Sequence, residues 1–238
     1  MFDMTDRVVM IAGAAGNLGQ AGVRRFRRAG ARVVAVDHSE GRLPGIFGDL
    51  TGGGELLCVE GVDMTRFDEV AAAVDRVLRS FGRIDALFNT VGGFAAAEVA
   101  GDESPDTWRR MLRMNLDTTL NGCRAVVPSM VERGRGRIVN TAARAGFGAP
   151  AGLAAYAASK SAVLRLTESL AHEVKGAGVN VNCVVPGTID TPQNRAAMPD
   201  ADPSTWVEPE AVADVAVFLA SEAARSVTGA AVPVYGRL

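Results

Sequence analysis

Cysteine is scarce in this 238-residue chain. Cys58, Cys123 and Cys183 are odd in number, widely separated and free of any C-x-x-C pair. That excludes a disulfide framework and makes them small apolar core residues of a reducing compartment. An excess of one charge is missing too, since 25 Lys+Arg against 27 Asp+Glu leave a formal net charge of -2. A nucleic-acid surface needs a basic excess, so no nucleic-acid partner is expected. The local cluster Arg24, Arg25, Arg27 and Arg28 falls on a helical pattern whose other positions are apolar, and reads as a solvated face. No apolar stretch approaches the roughly 18 residues that cross a bilayer. Asp3, Asp6 and Arg7 ahead of a short apolar run do not resemble a signal peptide. A cytoplasmic location with no membrane partner is expected. His38 and His172 stand alone without metal-ligand spacing, so no metal is expected. Internal repeats and linkers are also absent, and one domain over residues 1–238 is expected.

Short β-branched runs are plentiful, and they alternate with longer amphipathic ones. Residues 8–12, 31–36, 56–59, 84–88, 137–141, 179–185 and 231–235 read as strands. They are nearly continuously apolar, the pattern of parallel strands covered on both faces. Residues 18–29, 66–81, 105–132, 153–175 and 209–220 read as helices. The alternation predicts the α/β class: a single-domain Rossmann fold, doubly wound, with a seven-stranded parallel sheet and helices on both faces. Two stretches break the pattern. Residues 41–54 are rich in Gly and Pro and make a poor regular helix. Residues 187–207 are too long for an ordinary connection and read as a substrate lid.

The first strand runs into Gly13-Ala14-Ala15-Gly16-Asn17-Leu18-Gly19 and then a helix. Glycine permits the tight turn and lets phosphate oxygens approach the backbone, while the helix N-terminus presents N–H groups and partial positive charge. The next strand ends in Asp37, whose carboxylate suits adenosine ribose hydroxyls and repels a 2′-phosphate. NAD(H) is therefore expected over NADP(H), with Arg32 and Arg42 nearby in sequence. Asp63, after the third strand, is read either as reaching the adenine or as capping the turn before Thr65.

Tyr156-Ala157-Ala158-Ser159-Lys160 opens a long helical stretch. A spacing of four puts Tyr156 and Lys160 on one helix face. A tyrosine titrates near about 10, and a neighbouring ammonium together with a nicotinamide cation favours the phenolate. Such a group can give or take a proton beside a hydride transfer.

With these residues the chain resembles the short-chain dehydrogenase/reductase family over essentially its whole length. Asn89-Thr90-Val91-Gly92 is similar to the family's N-N-A-G. Asn115-Leu116 matches the asparagine of its proton relay. Pro186-Gly187, followed by Thr188, Ile189 and Thr191, matches the segment that holds the nicotinamide carboxamide and phosphates. The resemblance implies that Tyr156, Lys160 and Asn115 are catalytic. It implies cofactor contacts from Gly13, Gly16, Asn17, Leu18, Gly19, Asp37, Asp63, Asn89, Val91, Gly92, Tyr156, Lys160, Pro186, Gly187, Thr188, Ile189 and Thr191. It also implies a homodimer or homotetramer packed through 105–132 and 153–175.

Two departures stand out. The family's loop is T-G-x-x-x-G-x-G, whereas this one runs G-x-x-G-x-x-G, with Asn17 at a usual glycine position. The family's catalytic serine stands thirteen residues before the tyrosine, and here that position is Ala143. Thr141, two residues earlier, is the candidate substitute. These departures, Gly92-Gly93-Phe94 and the segment Thr188 to Trp206 resemble one subgroup, the dihydropteridine reductases, which move hydride from NADH to a quinonoid dihydropterin. A quinonoid C=N system is already electron-poor and needs little help from a carbonyl-polarising hydroxyl. Asn115 departs from that subgroup. Phe94, Phe147, Met198 and Trp206 are candidates to line an aromatic substrate pocket, with core or lid packing as the alternative. The expected function is NAD(H)-dependent hydride transfer to or from a small organic substrate, a quinonoid dihydropterin or other C=N compound. The alternatives are a ketone/alcohol oxidoreductase lacking the serine and a non-catalytic NAD(H)-binding sensor.

Overall fold

A computed structural model describes residues 2–50, 54–96 and 104–237. Seven strands form one sheet: β1 (Val8–Ala12), β2 (Arg32–Val36), β3 (Leu56–Val59), β4 (Ala86–Asn89), β5 (Gly136–Thr141), β6 (Val179–Pro186) and β7 (Ala231–Val234). Their order is β3-β2-β1-β4-β5-β6-β7, and every pairing is parallel. The order reverses between β1 and β4, and the crevice beyond the strand C-termini there is where this architecture receives ligands.

The apolar run of β1 is covered by a core on each face. Val9 and Ile11 of β1 point to one face, with Val23 and Phe26 of α1 (Asn17–Arg28) and Val212 and Leu219 of α8 (Pro209–Ala220). Val8 and Met10 point to the other, with Val70 and Val77 of α3 (Phe67–Phe81) and Val126 and Met130 of α5 (Thr118–Glu132). Successive side chains of a strand face opposite sides, so a strand covered on both is apolar at every position. Each fully buried Val, Leu or Phe contributes about 1.5–3 kcal/mol. The α1 arginines form an ion-paired outer face: Arg24 with Asp49, Arg25 with Asp214 and Arg27 with Glu55.

Within 41–54 the chain makes a short helix α2 (Leu43–Phe47), because Leu43 and Phe47 both reach the core; residues 51–53 of this stretch lie outside the described ones. Residues 105–132 do not form the single expected helix. They split into α4 (Pro105–Leu112), a π-helical turn (Arg113–Asp117) and α5. The cause is local: Thr118 Oγ1 donates to the Met114 carbonyl at 2.7 Å and Thr119 Oγ1 to that of Asn115 at 2.8 Å. Such side-chain competition for carbonyls loosens the ladder. α6 (Ala154–Val174) follows.

Residues 187–207 are more ordered than a plain loop. Ile189 and Val207 form a bridge, with Val207 N–H donating to Thr188 and Asp190 N–H to Val207. Thr191 caps α7 (Pro192–Ala197) by accepting from Asn194 N–H at 3.1 Å.

Candidate active site

The glycine loop is built around two close approaches. Gly13 has φ +80, and a Cβ there would stand 2.9 Å from Val91 Cγ2. A Cβ at Gly19 would stand 2.1 Å from the Gly13 carbonyl oxygen. Gly16 precedes α1 in extended conformation, and no side chain caps that helix, which leaves its first-turn N–H groups for an anion. Asn17 is the first helical residue, where the backbone does not require glycine, so the departure costs nothing. Its Nδ2 donates to Gln193 Oε1 of α7 at 2.8 Å. Leu18 is buried in the core. A cradle closed to Cβ atoms, opening on an uncapped helix end, fits a dinucleotide pyrophosphate.

Asp37 is buried at the end of β2, where Oδ2 accepts from Ala15 N–H at 2.9 Å and Oδ1 from Ser39 N–H at 3.0 Å. The carboxylate thus joins the strand end to the glycine loop, with further lone pairs for ribose hydroxyls. Asp63 makes the turn contact: its Oδ1 accepts from Thr65 N–H at 2.8 Å. Asn89 sits at the end of β4. Its side chain is buried inside the sheet, where Nδ2 donates to Asn140 Oδ1 at 2.9 Å, and its carbonyl is taken by Thr141. Its Nδ2 thereby ties β4 to β5 at the base of the crevice. Beyond Pro186, Gly187 N–H donates to the Val234 carbonyl at 3.0 Å, and the Ile189 side chain packs against the core.

The proton-transfer candidates converge. Asn115 lies in the π-helical turn, fully buried. Its Oδ1 accepts from Gly93 N–H at 2.9 Å, and its Nδ2 donates to the Gly93 carbonyl at 3.1 Å and to Ser159 Oγ at 2.9 Å. Ser159 Oγ donates to the Tyr156 carbonyl at 2.7 Å. A Cβ at Gly92 would stand 2.8 Å from Asn115 Oδ1 and 3.2 Å from Lys160 Nζ, so these groups share one small volume. Ser159 was not singled out by sequence, although it lies inside the Tyr-to-Lys spacing.

Lys160 is buried and donates from Nζ to the Thr141 carbonyl at 2.9 Å. Burial pulls its ammonium down to about 8. In the protein alone, burial pushes the Tyr156 hydroxyl up to about 12, the opposite direction from the lowering expected of an ammonium together with a bound nicotinamide cation. The ammonium that was to favour the phenolate is bound to a backbone carbonyl, and desolvation decides the direction.

Ala143 stands extended just past β5, buried and without a donor. The Thr141 hydroxyl does not fill that gap. It donates to the Asn89 carbonyl at 2.6 Å, so its proton is committed between strands. Of the aromatic candidates, Phe94 is 63% exposed, and its ring lies edge-on to Tyr156 at 5.0 Å between centroids. Phe147 is 54% exposed, and Met198 is also exposed. Trp206 is only 8% exposed, so it is lid packing and not an open pocket wall. Among the described residues no group of three or more His, Cys, Asp or Glu is placed to hold a metal. No helix there is long and apolar enough to cross a membrane.

The sequence profile of the family described as short chain dehydrogenase matches residues 7–202. The 3β-hydroxysteroid dehydrogenase 2 of Eggerthella lenta is 32% identical over 246 residues, covering 98% of this chain and 95% of that protein. The 3-oxoacyl-(acyl-carrier-protein) reductase of Thermotoga maritima is 32% identical over 241 residues, covering 98% and 97%. A solved short-chain type dehydrogenase/reductase from Mycobacterium ulcerans superposes with a TM-score of 0.92 at 28% identity, covering 99% of this chain and 90% of that one.

Proposed function

The chain belongs to the short-chain dehydrogenase family and is an oxidoreductase, and from that premise we propose that it moves hydride between NAD(H) and a small substrate whose accepting group is already electron-poor. The observation that carries this reading is Ala143 beside a committed Thr141 hydroxyl, which leaves Tyr156 as the proton donor at the site. A ketone gains most from a second donor on its developing alkoxide. A quinonoid C=N group, as in a quinonoid dihydropterin, develops no alkoxide. A bound nicotinamide would supply or accept the hydride. The α1 N-terminus and Thr191 would hold its pyrophosphate, and Asp37 would take the adenosine ribose and repel a 2′-phosphate. Tyr156 gives or takes the proton at its hydroxyl oxygen, and Lys160 supplies positive charge beside it. Asn115 fixes Gly93 against α6, Phe94 offers an aromatic wall, and residues 187–207 cover the site.

A second reading rests on the relatives, whose names place a hydroxysteroid and an oxoacyl group in their sites. It makes this chain an alcohol/ketone oxidoreductase without the serine. Family membership sets aside the non-catalytic sensor. Leu112 of α4 and Val131 of α5, both exposed and apolar, support self-association through these helices. Three free cysteines suit a cytoplasmic location.

The test follows NADH and NADPH oxidation with quinonoid dihydropterin generated in situ, beside a ketone panel and a protein-free control. Enzyme-dependent oxidation of NADH with the pterin, well above that with ketones, is expected. Rates at background with the pterin and above it with ketones would decide for the second reading.

The two shifted groups also set a pH profile. Lys160 is charged below about 8 and neutral above it, while Tyr156 keeps its proton to about 12. Reduction of substrate needs the tyrosine protonated and the lysine charged. The turnover number for NADH oxidation at saturation should therefore be flat on the acid side and fall as pH rises through about 8. A profile still flat to about pH 10 would remove Lys160 from the proton path.

A further inference from the structure

The β4–β5 ladder stops at Phe88 opposite Val139. One residue later the strands are joined by side chains instead: Asn89 Nδ2 to Asn140 Oδ1 at 2.9 Å, then the Thr141 hydroxyl to the Asn89 carbonyl at 2.6 Å. Asn140 continues the link to Thr167 Oγ1 at 2.9 Å, on the helix that carries Tyr156 and Lys160. On its other edge β5 stays paired, and the Ala142 N–H donates to the Val184 carbonyl of β6 at 3.0 Å. That N–H and the Thr141 carbonyl belong to one planar peptide and point in opposite directions. In a continuing ladder the Thr141 carbonyl would meet an N–H of β4. Because β4 has turned away, Lys160 Nζ meets it instead, at 2.9 Å.

We propose that Thr141 is a positioning residue for the Lys160 ammonium: its hydroxyl, tied to Asn89, fixes the peptide whose carbonyl receives Nζ. This rests on the reading of Tyr156 and Lys160 as the proton-transfer pair. It gives Thr141 a task unlike that of the absent serine. The serine would touch the substrate, whereas Thr141 acts through Lys160. The surroundings leave that carbonyl a large share of the work. From β6 Lys160 faces the Cys183 thiol, which burial pushes up to about 12 and so keeps neutral. From its own helix Tyr156, one turn earlier, is protonated over the same range, and Arg165 and Glu168 carry opposite charges toward Cys183. The π-helical turn and the loop after β4 bring the Asn115 amide and Gly92. A buried ammonium with no carboxylate bonded to it depends on the placement of its acceptor.

Only two lysines occur in the chain, Lys160 and Lys175, so each can be followed separately by side-chain nuclear magnetic resonance. The full chain is labelled with carbon-13 and nitrogen-15, Lys175→Arg assigns the pair, and the Lys160 Cε shift is titrated with pH. Thr141→Val, Thr141→Ala and Thr141→Ser are compared with the parent, each with its melting temperature. The parent midpoint is expected at about 8. Removing the hydroxyl lets the peptide move and should lower the midpoint by roughly half a pH unit or more, because the charged form loses a fixed acceptor. Thr141→Ser keeps the hydroxyl and should restore the parent midpoint. A merely structural threonine would lower the melting temperature of Val and Ala variants and leave both midpoints in place, and that result would overturn the proposal. The same unchanged midpoint with slowed turnover would place the hydroxyl on the substrate instead, overturning it equally. The titration needs no substrate, so failure of the hydride-transfer reading shows elsewhere, as an absence of enzyme-dependent NADH oxidation in the parent.

Discussion

Tyr156→Phe should slow NADH oxidation with the accepted substrate by about 100- to 10 000-fold, the range that a positioned proton donor contributes. The substitution removes one oxygen and keeps the ring. The edge-on contact with Phe94 at 5.0 Å therefore stays, and so does the first turn of α6. Ser159 binds the Tyr156 backbone carbonyl, not its hydroxyl, so the link to Asn115 is untouched. Steady-state rates and NADH fluorescence titration measure the two sides of this expectation. The turnover number falls, while the NADH dissociation constant stays within about threefold, since the lost group acts on the reaction and not on the adenine half of the site. A variant retaining more than about a tenth of parental turnover would mean that the proton comes from solvent or from another group.

Ala143→Ser should raise turnover of a ketone by about 10- to 100-fold and change turnover of a quinonoid C=N substrate by less than about threefold. A donor aimed at a developing oxyanion is worth about 100- to 1000-fold where a site has been shaped around it, and a single substitution recovers part of that. The position can receive the hydroxyl: the backbone there is extended, and its carbonyl is already occupied by Gly146 N–H at 2.8 Å. The two substrates are assayed in parallel with the same preparation, so any loss of folded protein affects both equally. Equal gains on both, or no gain on the ketone, would separate Ala143 from substrate choice.

How far the sequence reveals the molecule depends on whether a feature is local. β1, flanked by two cores, is legible because its Val8-Val9-Met10-Ile11-Ala12 run is apolar at every position. The glycine loop is legible because Gly13 and Gly19 answer to steric demands within one turn. Tyr156 and Lys160 share a helix face by simple spacing. The missing parts come from contacts far apart in the chain. Asn89 stands in a recognisable motif, yet that its Nδ2 ties it to Asn140 depends on a residue that arrives from another strand. Thr141 looks like a spare hydroxyl until β4 supplies the carbonyl it binds. The direction of the Tyr156 shift depends on how completely the site is enclosed, which no spacing conveys. Trp206 is buried, and its backbone carbonyl packs against Gly236, near the far end of the chain.

The π-helical turn at Arg113–Asp117 has a geometric consequence. An α-helix advances about 100° per residue, so the residue added by a wider turn changes the azimuth of everything after it. α4 and α5 are therefore two helices out of phase, and an apolar stripe drawn across both as one would be aimed at the wrong neighbour for half its length. Removing one residue from the turn would give a continuous helix and swing the Asn115 amide by about 100°, away from Gly93 and Ser159. The irregularity works as an angular offset, pointing one amide inward while the helices on either side keep their own faces on the protein.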